Sequence, residues 1–357
     1  MKSIPFSLLC LILLCSGSLK AQYESILNDP DVIWAAELDL TFWIEPEYMN
    51  PDSVYATSCS STLLKLRNQA AIPGDESEVL FASRLLSLLL DENKKAYIHP
   101  DSLWPLTITE RDHILNIKDT VTVFDPETYA ESNRVVYNCW SAESIQLMRV
   151  RQLLFYRDKS DEFELYTLAF APLLRRNYGS VGQESYLWYT PFWFKMAPYR
   201  RKETQRAFMD EPNISLARRM RTGTNMPTLE SLKPFKNFKQ PVMQQYLNRL
   251  SQDASFKVRE GMDWAVMPLK DRMHVIISRD SVITFDPETY EEKMVVIDNS
   301  MDGQEIMDLR LVQDWLWDDR QTYPVFQLYA FAPLEQVLDD EGNPRFKRPV
   351  FWRLVKD

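Results

Sequence analysis

The residues that could do chemistry in this 357-residue sequence begin with two equal pairs of carboxylates. Asp125 and Glu127 lie in the run Phe-Asp-Pro-Glu-Thr-Tyr, and Asp286 and Glu288 lie in an identical run further along. A pair of carboxyl groups is what glycoside hydrolysis requires. Asp followed by Pro is also typical of positions i and i+1 of a type I turn, and both copies of a repeat need the same turn more often than the same active site. We therefore favour structural turns over catalysis. The predicted turn residues are Asp125, Pro126, Asp286 and Pro287.

Histidines and short motifs offer little further chemistry. The sequence has three His, and His113 and His274 each follow an Arg by two residues, where the pattern predicts the start of a strand. A structural role for them is favoured over metal binding or acid–base work. With only 8 Gly, the sequence contains no Cys-x-x-Cys, His-Glu-x-x-His, Gly-x-Ser-x-Gly or Gly-x-Gly-x-x-Gly. We expect no catalytic residue, no metal and no cofactor.

A repeat with a constant spacing of 161 residues positions these groups. It pairs Phe124–Tyr129 with Phe285–Tyr290, and Ala169–Leu173 with Ala330–Leu334, without a gap. Each half is therefore predicted to contain one module of about a hundred residues, a normal domain size. Single residues that keep the spacing include Arg111 and Arg272, His113 and His274, Arg149 and Arg310, and Gln152 and Gln313.

Each module is predicted to combine a helix with an antiparallel meander. An apolar stripe at i, i+4, i+5 and i+8 begins the modules at Phe81 and Val242. Short strands follow, and alternate residues from Leu309 to Trp317 form one buried face that includes Gln313. Gln152 holds the same position in module one, so each Gln should have a fixed hydrogen-bond partner. The predicted fold class is α+β, with two tandem copies of a helix plus antiparallel β-meander module.

The N-terminus predicts export. Lys2, the apolar run from Phe6 to Cys15 and the small residue Ala21 are typical of a signal peptide over residues 1–21, and the run is too short to span a bilayer. The rest divides into an acidic, aromatic arm (22–79), module one (80–196), a basic connector (197–240) and module two (241–357). Two Cys remain, and a disulfide between them and two buried thiols are both open. They are Cys59 and Cys139.

Charge is divided unevenly along the chain. The whole sequence carries −10, which argues against a nucleic-acid binder that works through net charge. Residues 195–239, however, hold 11 Lys or Arg against 4 Asp or Glu. A solvated linker and a basic strip that docks on an acidic neighbour are both open here. The candidate protein-interface residues are Arg200, Arg201, Lys202, Arg206, Arg218, Arg219 and Arg221.

Three segments, taken in order, resemble a known family. They are Asp-Trp-Leu-Trp-Asp (Asp314–Asp318), Ala-Pro-Leu (Ala332–Leu334) and Arg-Pro-Val-Phe-Trp (Arg348–Trp352). This order is similar to the core of the GldN/PorN family, where a Trp-containing strand, a small-Pro-aliphatic strand end and a closing Phe-Trp strand follow one another. The stretch from Val32 to Asn50 faintly resembles the N-terminal stretch of that family. The resemblance is strongest over residues 280–353 and over their repeat at 119–194.

Members of the GldN/PorN family are periplasmic subunits of the type IX secretion and gliding-motility machinery of Bacteroidetes-type bacteria. The resemblance implies a non-enzymatic structural subunit, associated with the outer membrane, that assembles into a ring with a GldK/PorK-like lipoprotein. It also implies self-association or contact with family paralogues, and no span of its own in the membrane. The alternative interpretation is an exported glycan- or peptide-binding module that uses the Trp-rich strands.

Overall fold

The structure is a computed structural model of the chain. It describes residues 20–44, 61–66, 76–116, 118–124, 126–137, 140, 142–178, 185–199, 211–225, 244–261, 264–285, 287–301, 306, 308–339 and 342–355. Antiparallel strands predominate, with a few helices, which agrees with an α+β or β-rich class.

The strands are β1 (Val32–Trp43), β2 (Ser61–Leu66), β3 (Lys118–Phe124), β4 (Glu131–Tyr137), β5 (Ile145–Arg157), β6 (Glu162–Tyr178), β7 (Ser185–Tyr189), β8 (Phe194–Lys195), β9 (Ile214–Asn225), β10 (Arg259–Glu260), β11 (Ala265–Val266), β12 (Ile277–Phe285), β13 (Glu292–Ser300), β14 (Asp308–Asp318), β15 (Val325–Leu338), β16 (Pro344–Pro349) and β17 (Arg353–Leu354). The helices are α1 (Lys20–Leu27), α2 (Glu76–Leu90), α3 (Ile108–Leu115), α4 (Gln244–Gln252) and α5 (Leu269–Ile276), with a 3₁₀ turn at Ala142–Ser144.

Two antiparallel sheets form the body of the protein. The first has the order β1-β5-β6-β7, with β8 also paired to β6. The second has the order β16-β15-β14-β9-β2, with β17 also paired to β15. Strand β1 comes from the predicted arm and β9 from the predicted connector. These two segments therefore supply strands next to β5 and β14, and the interpretation of residues 214–225 as part of a linker was wrong.

The two sheets pack face to face around one shared hydrophobic core. Phe42 of the first sheet lies 4.7 Å from Trp315 of the second, measured between ring centroids, and Phe163 lies 4.9 Å from Phe331. The alternation predicted for β14 is present, because Leu309, Leu311 and Trp315 face this core. Val312 and Leu316 of the same strand belong to smaller apolar clusters on the other face.

A reciprocal pair of glutamines lies in the middle of this core. Gln152 Nε2 donates to Gln313 Oε1 at 2.9 Å, and Gln313 Nε2 donates to Gln152 Oε1 at 2.9 Å. Both side chains are fully buried. Thr167 Oγ1 accepts a further bond from Gln152, and Trp315 Nε1 donates to Gln313. The prediction that each Gln has a fixed partner is confirmed, and that partner is the equivalent Gln of the other sheet.

Each long helix packs partly against the sheet of the other half. In α2, the Phe81 ring lies 5.6 Å from Trp317, and Arg84 Nη1 donates to Ser215 Oγ at 2.6 Å. In α4, Tyr246 Oη donates at 3.0 Å to the carbonyl of Asp161, in the turn between β5 and β6. The two halves therefore exchange contacts, and a boundary near residue 240 does not divide the molecule into separate cores.

The short helices correct one further expectation. His113 and His274 lie within α3 and α5, not at the start of a strand. Helix α3 begins with a capping box, in which Thr107 Oγ1 accepts from the Glu110 amide and the Thr107 amide donates to Glu110 Oε2 at 2.8 Å. The segments around His113 and His274 are therefore helices, and the prediction of a strand start was wrong.

The repeated arginines on these two helices are buried and bonded to main-chain carbonyls. Arg111 donates to the carbonyls of Leu89 at 2.7 Å and Lys94 at 2.8 Å. Arg272 donates to the carbonyls of Asp253 and Met267, each at 3.0 Å. In each half the guanidinium therefore donates to one carbonyl at or next to the end of the preceding long helix, Leu89 or Asp253, where carbonyls lack N–H donors within the helix.

Candidate protein-interaction site

Two β-ribbons lie outside the main sheets. Strand β3 pairs only with β4, and β12 pairs only with β13, among the strands that the structure describes. The first ribbon closes with Phe124 opposite Glu131, and the second with Phe285 opposite Glu292. Each pairing encloses the same Asp-Pro-Glu-Thr-Tyr sequence. We call residues 124–129 and 285–290 the two ribbon tips.

The aromatic residues of the ribbon tips are exposed to solvent. Phe124 and Phe285 are 61% and 62% exposed, and Tyr129 and Tyr290 are 83% and 81% exposed. The near equality of these values shows that the two tips expose their Phe and Tyr to the same extent. Single exposed apolar residues are common, but a matched Phe and Tyr at both ends of a projecting loop form a repeated feature.

The two tyrosines also adopt an unfavourable backbone conformation. Tyr129 and Tyr290 both have φ of 56°, in the left-handed region. A bulky L-residue in that region is an outlier, because its Cβ approaches its own carbonyl oxygen at a cost of roughly 1–2 kcal/mol. Gly or Asn would occupy the position with less strain. Turn formation therefore explains neither the choice of Tyr nor its exposure.

Other residues of the tips have ordinary turn roles. Thr128 Oγ1 accepts from the Ala130 amide, and Thr289 Oγ1 accepts from the Glu291 amide, each at 3.4 Å. Pro126 and Pro287 are exposed within the turns. Asp125 and Asp286 lie outside the described residues, and their turn assignment stays a prediction.

The ribbons differ just below their tips. Thr122 lies opposite Asn133 in the first ribbon, and the two side chains hydrogen bond at 3.1 Å. The equivalent pair in the second ribbon is Ile283 and Met294, which are 57% and 68% exposed. The two ribbons therefore share their sequence at the tips and differ directly below them.

Both tips are acidic. Residues 124–131 contain three carboxylates and no basic residue, and residues 285–292 contain four carboxylates and no basic residue. Glu127 and Glu288 are exposed, as are Glu131 and Glu292 at the first paired positions. Each tip therefore presents aromatic side chains among negative charges.

The predicted basic strip was expected to face an acidic neighbour, but two of its arginines, Arg218 and Arg219, are bound within the protein. Arg218 is 1% exposed and donates at 2.6 Å to the carbonyl of Ile44, so it belongs to the interior. Arg219 makes two hydrogen bonds to Asp314, at 2.8 and 3.1 Å, and its guanidinium lies 3.4 Å from the Tyr329 ring centroid.

Arg221 is half-buried, and burial together with the neighbouring Arg219 lowers its pKa. Arg218 is buried and Arg219 is bonded to Asp314, so these two residues do not form an exposed basic strip. The remaining predicted interface residues lie outside the described residues. They are Arg200, Arg201, Lys202 and Arg206.

The other candidates for chemistry are dispersed. His99 is exposed, and its Nδ1 accepts from the Asp101 amide at 3.2 Å. His113 is exposed on α3. Among the residues that the structure describes, no three His, Cys, Asp or Glu side chains are grouped as metal ligands. Cys59 and Cys139 fall outside the described ranges, as does most of the predicted signal peptide.

The strand tryptophans belong mainly to the core. Trp34, Trp193, Trp315, Trp317 and Trp352 are all buried. A glycan site built on the Trp-rich strands would need such rings to be accessible. None of the helices in the described part of the chain is long and apolar enough to span a membrane.

No protein-family model matches the chain, and no curated protein matches it.

Sequence reasoning found the tip motif but assigned it only to turn formation. Asp and Pro were explained, whereas the flanking Phe and Tyr were passed over. The available signal was an aromatic residue directly beside a turn, where Gly, Asn or Ser is usual. The exposed fractions and the positive φ required the tertiary structure.

Proposed function

We propose that the chain is a non-enzymatic structural subunit that works through protein–protein contacts. The observation that carries the proposal is the pair of acidic ribbon tips with exposed Phe and Tyr side chains. Aromatic residues of this kind supply much of the binding energy in protein interfaces. A duplicated, convex contact element suits a subunit of an assembly better than an enzyme, whose site is typically concave.

The resemblance of residues 314–352 to the GldN/PorN family gives the proposal its biological setting. On that basis the protein is an exported, periplasmic subunit of the type IX secretion and gliding-motility machinery. It associates with the outer membrane through a GldK/PorK-like lipoprotein and forms part of a ring. The burial of Trp315 and Trp317 argues against the alternative, a glycan- or peptide-binding module on the Trp-rich strands.

We further propose that the two halves are tandem copies of one module. The spacing of 161 residues supports this proposal, as does the similar order of β1-β5-β6-β7 and β9-β14-β15-β16. Each half also has one ribbon and one buried Arg bonded to carbonyls at the end of its long helix.

Co-purification from the native cell envelope tests the proposed function. A C-terminally tagged full chain should migrate in an assembly far larger than the 42.0 kDa of one chain and should retain an outer-membrane lipoprotein. The matched control is a variant without residues 2–21, which should stay outside the envelope fraction and remain unassembled. A monodisperse monomer that retains no envelope protein would contradict the proposal.

A further inference from the structure

We infer that each chain bridges two copies of one separate partner protein, with one ribbon tip bound to each copy. The inference rests on the proposed structural role and names the kind of partner and the number of sites. In each tip, the exposed Phe and Tyr fill an apolar pocket on the partner, and cationic groups around that pocket face the tip carboxylates.

Backbone strain is the first argument for a binding role. Tyr129 and Tyr290 hold the same left-handed conformation, and more than four-fifths of each side chain is exposed. Neither ring is buried by its own chain to an extent that offsets the strain. Strained conformations of this kind cluster at active sites, ligand clamps and switch regions. Stabilisation of the fold therefore does not account for the aromatic groups of the tips, and binding to a partner does.

The equality of the tips sets the number of partner sites. Two tips with one sequence and the same left-handed Tyr favour two equal receptor pockets. A second copy of this chain carries the same net charge of −10, which opposes its binding of the acidic tips. Two copies of a different protein, with basic groups around the pocket, therefore fit better.

Charge selects the chemistry of the pocket. Three carboxylates in residues 124–131 and four in residues 285–292, with no basic residue in either segment, favour a receptor lined with Lys or Arg. The same charges oppose contact between two tips, binding to an anionic bilayer and binding to nucleic acid. The convex shape of a turn suits insertion into a protein pocket and not the enclosure of a small ligand.

Site-specific photocrosslinking in the intact assembly tests the inference. Tyr129 and Tyr290 are replaced one at a time by p-benzoylphenylalanine in the full chain, and the native envelope complex is irradiated and digested. Both positions should crosslink to the same peptide of the same partner protein, with Lys or Arg beside apolar residues. The matched control carries the crosslinker at Trp104, an equally exposed aromatic position outside the tips. It should not label that peptide.

Charge-reversal variants and single-tip variants measure how much each tip contributes to binding the partner. Glu127→Lys with Glu288→Lys should reduce both crosslinks by at least about tenfold, because opposed charges at the rim become like charges. Loss of one tip by Tyr129→Asn should weaken retention of the partner by roughly 10²–10⁴-fold, since a bivalent contact becomes monovalent. Thermal unfolding of the purified variants checks that each one is folded.

Several outcomes would overturn the inference. They are crosslinks from the two tips to different proteins, to an acidic peptide, to lipid or to a second copy of this chain, and labelling no stronger than at Trp104. If the chain still migrates in a large envelope assembly, such a result removes the tip assignment and leaves the proposed function standing. A monomeric chain without envelope partners removes both.

Discussion

At the scale of single residues, the Gln152–Gln313 pair places two polar side chains at the centre of an otherwise apolar interface. Each fully buried amide both donates to and accepts from the other at 2.9 Å. Such a pair fixes how the sheets face one another, because a shift of either strand would break both hydrogen bonds between the two amides.

Replacing only one Gln should be costly, because the other amide then stays buried without its Gln partner. The losses of the two single variants should therefore add up to more than the loss of the double variant. Gln152→Leu or Gln313→Leu should each lower the free energy of unfolding by about 1–3 kcal/mol, because the remaining amide is buried without its partner. The double variant should lose less than the sum, by about 0.5 kcal/mol or more. Urea denaturation followed by Trp fluorescence measures all three. The control is Gln252→Leu, on the exposed end of α4, and additive losses would contradict the pairing.

Asp318 is the clearest case of a carboxylate held in its charged form. Its side chain accepts hydrogen bonds from Arg320 Nε at 3.0 Å, Arg320 Nη2 at 2.9 Å and the Arg320 amide at 2.9 Å. These bonds from Arg320 hold the pKa of Asp318 well below its usual range. The carboxylate is almost fully buried, so it stabilises the turn between β14 and β15 from within.

The contribution of Asp318 should therefore depend on pH. At pH 7, Asp318→Asn should lower the free energy of unfolding by about 1–2 kcal/mol. Because the pKa is lower in the folded state, this contribution is complete above the unfolded value of about 3.9 and is lost as the pH falls below it. The difference between the natural chain and the variant should shrink from pH 5 to pH 2.5 in denaturation experiments. Asp158→Asn, at the equivalent exposed turn, is the control, and a difference that grows in acid would contradict the assignment.

At the scale of elements, the ribbons combine a stable turn with an aromatic surface that the turn does not need. Thr128 and Thr289 bond to the backbone within the loops, whereas Tyr129 and Tyr290 occupy left-handed positions and face solvent. Local folding and partner binding therefore depend on different residues of the same six-residue motif, which allows the two to be separated by substitution.

Substituting the tip tyrosines should leave the fold intact. Tyr129→Asn and Tyr290→Asn should change the free energy of unfolding by less than about 0.5 kcal/mol or raise it slightly, because Asn tolerates the left-handed conformation better. Differential scanning calorimetry of the purified chain measures the effect. Leu250→Ala, on the buried face of α4, is the contrasting control and should cost about 2–5 kcal/mol. A loss above 1 kcal/mol for the Tyr variants would show that the rings support the fold.

At the scale of the whole molecule, the shared core decides how the chain behaves. Phe170 of the first sheet lies 5.6 Å from Phe326 of the second, and Phe331 of the second lies 4.9 Å from Phe163 of the first, between ring centroids. The helices add contacts in both directions, through Arg84 of α2 and Tyr246 of α4. A sheet that lost its counterpart would expose most of its inner face, so neither half should remain folded alone.

Unfolding should accordingly show one transition for both halves. Phe170→Ala and Phe331→Ala are at equivalent repeat positions, and each should destabilise that single transition by about 3–5 kcal/mol. Far-UV and near-UV circular dichroism recorded during heating should give coincident curves for both variants. Exposed Phe346→Ala is the control. Two separate transitions, with each variant shifting only one, would show independent modules.

The sequence by itself determined the parts that depend on neighbouring residues and on periodicity. Alternation identified the core strand β14 and the buried face that contains both Gln152 and Gln313. The Asp-Pro pairs predicted turns in both ribbons, and the constant spacing of 161 residues predicted two related halves. These features follow from local geometry, since a strand alternates its side chains and Pro restricts its own backbone angle.

Only the tertiary structure decided which segments meet. Strand β9 lies in a segment whose many charges predicted a linker, yet pairing with β14 buries Arg218 and bonds Arg219 to Asp314. His113 and His274 are on helices whose buried Arg contacts outweigh a weak strand pattern, and the helix of His113 also has a capping box. The partner of each Gln, the exchange of helix contacts and the exposure of the tip aromatics all depend on residues distant in sequence. Long-range packing of this kind leaves no periodic signal in one chain, because the partner surfaces are brought together only by the fold.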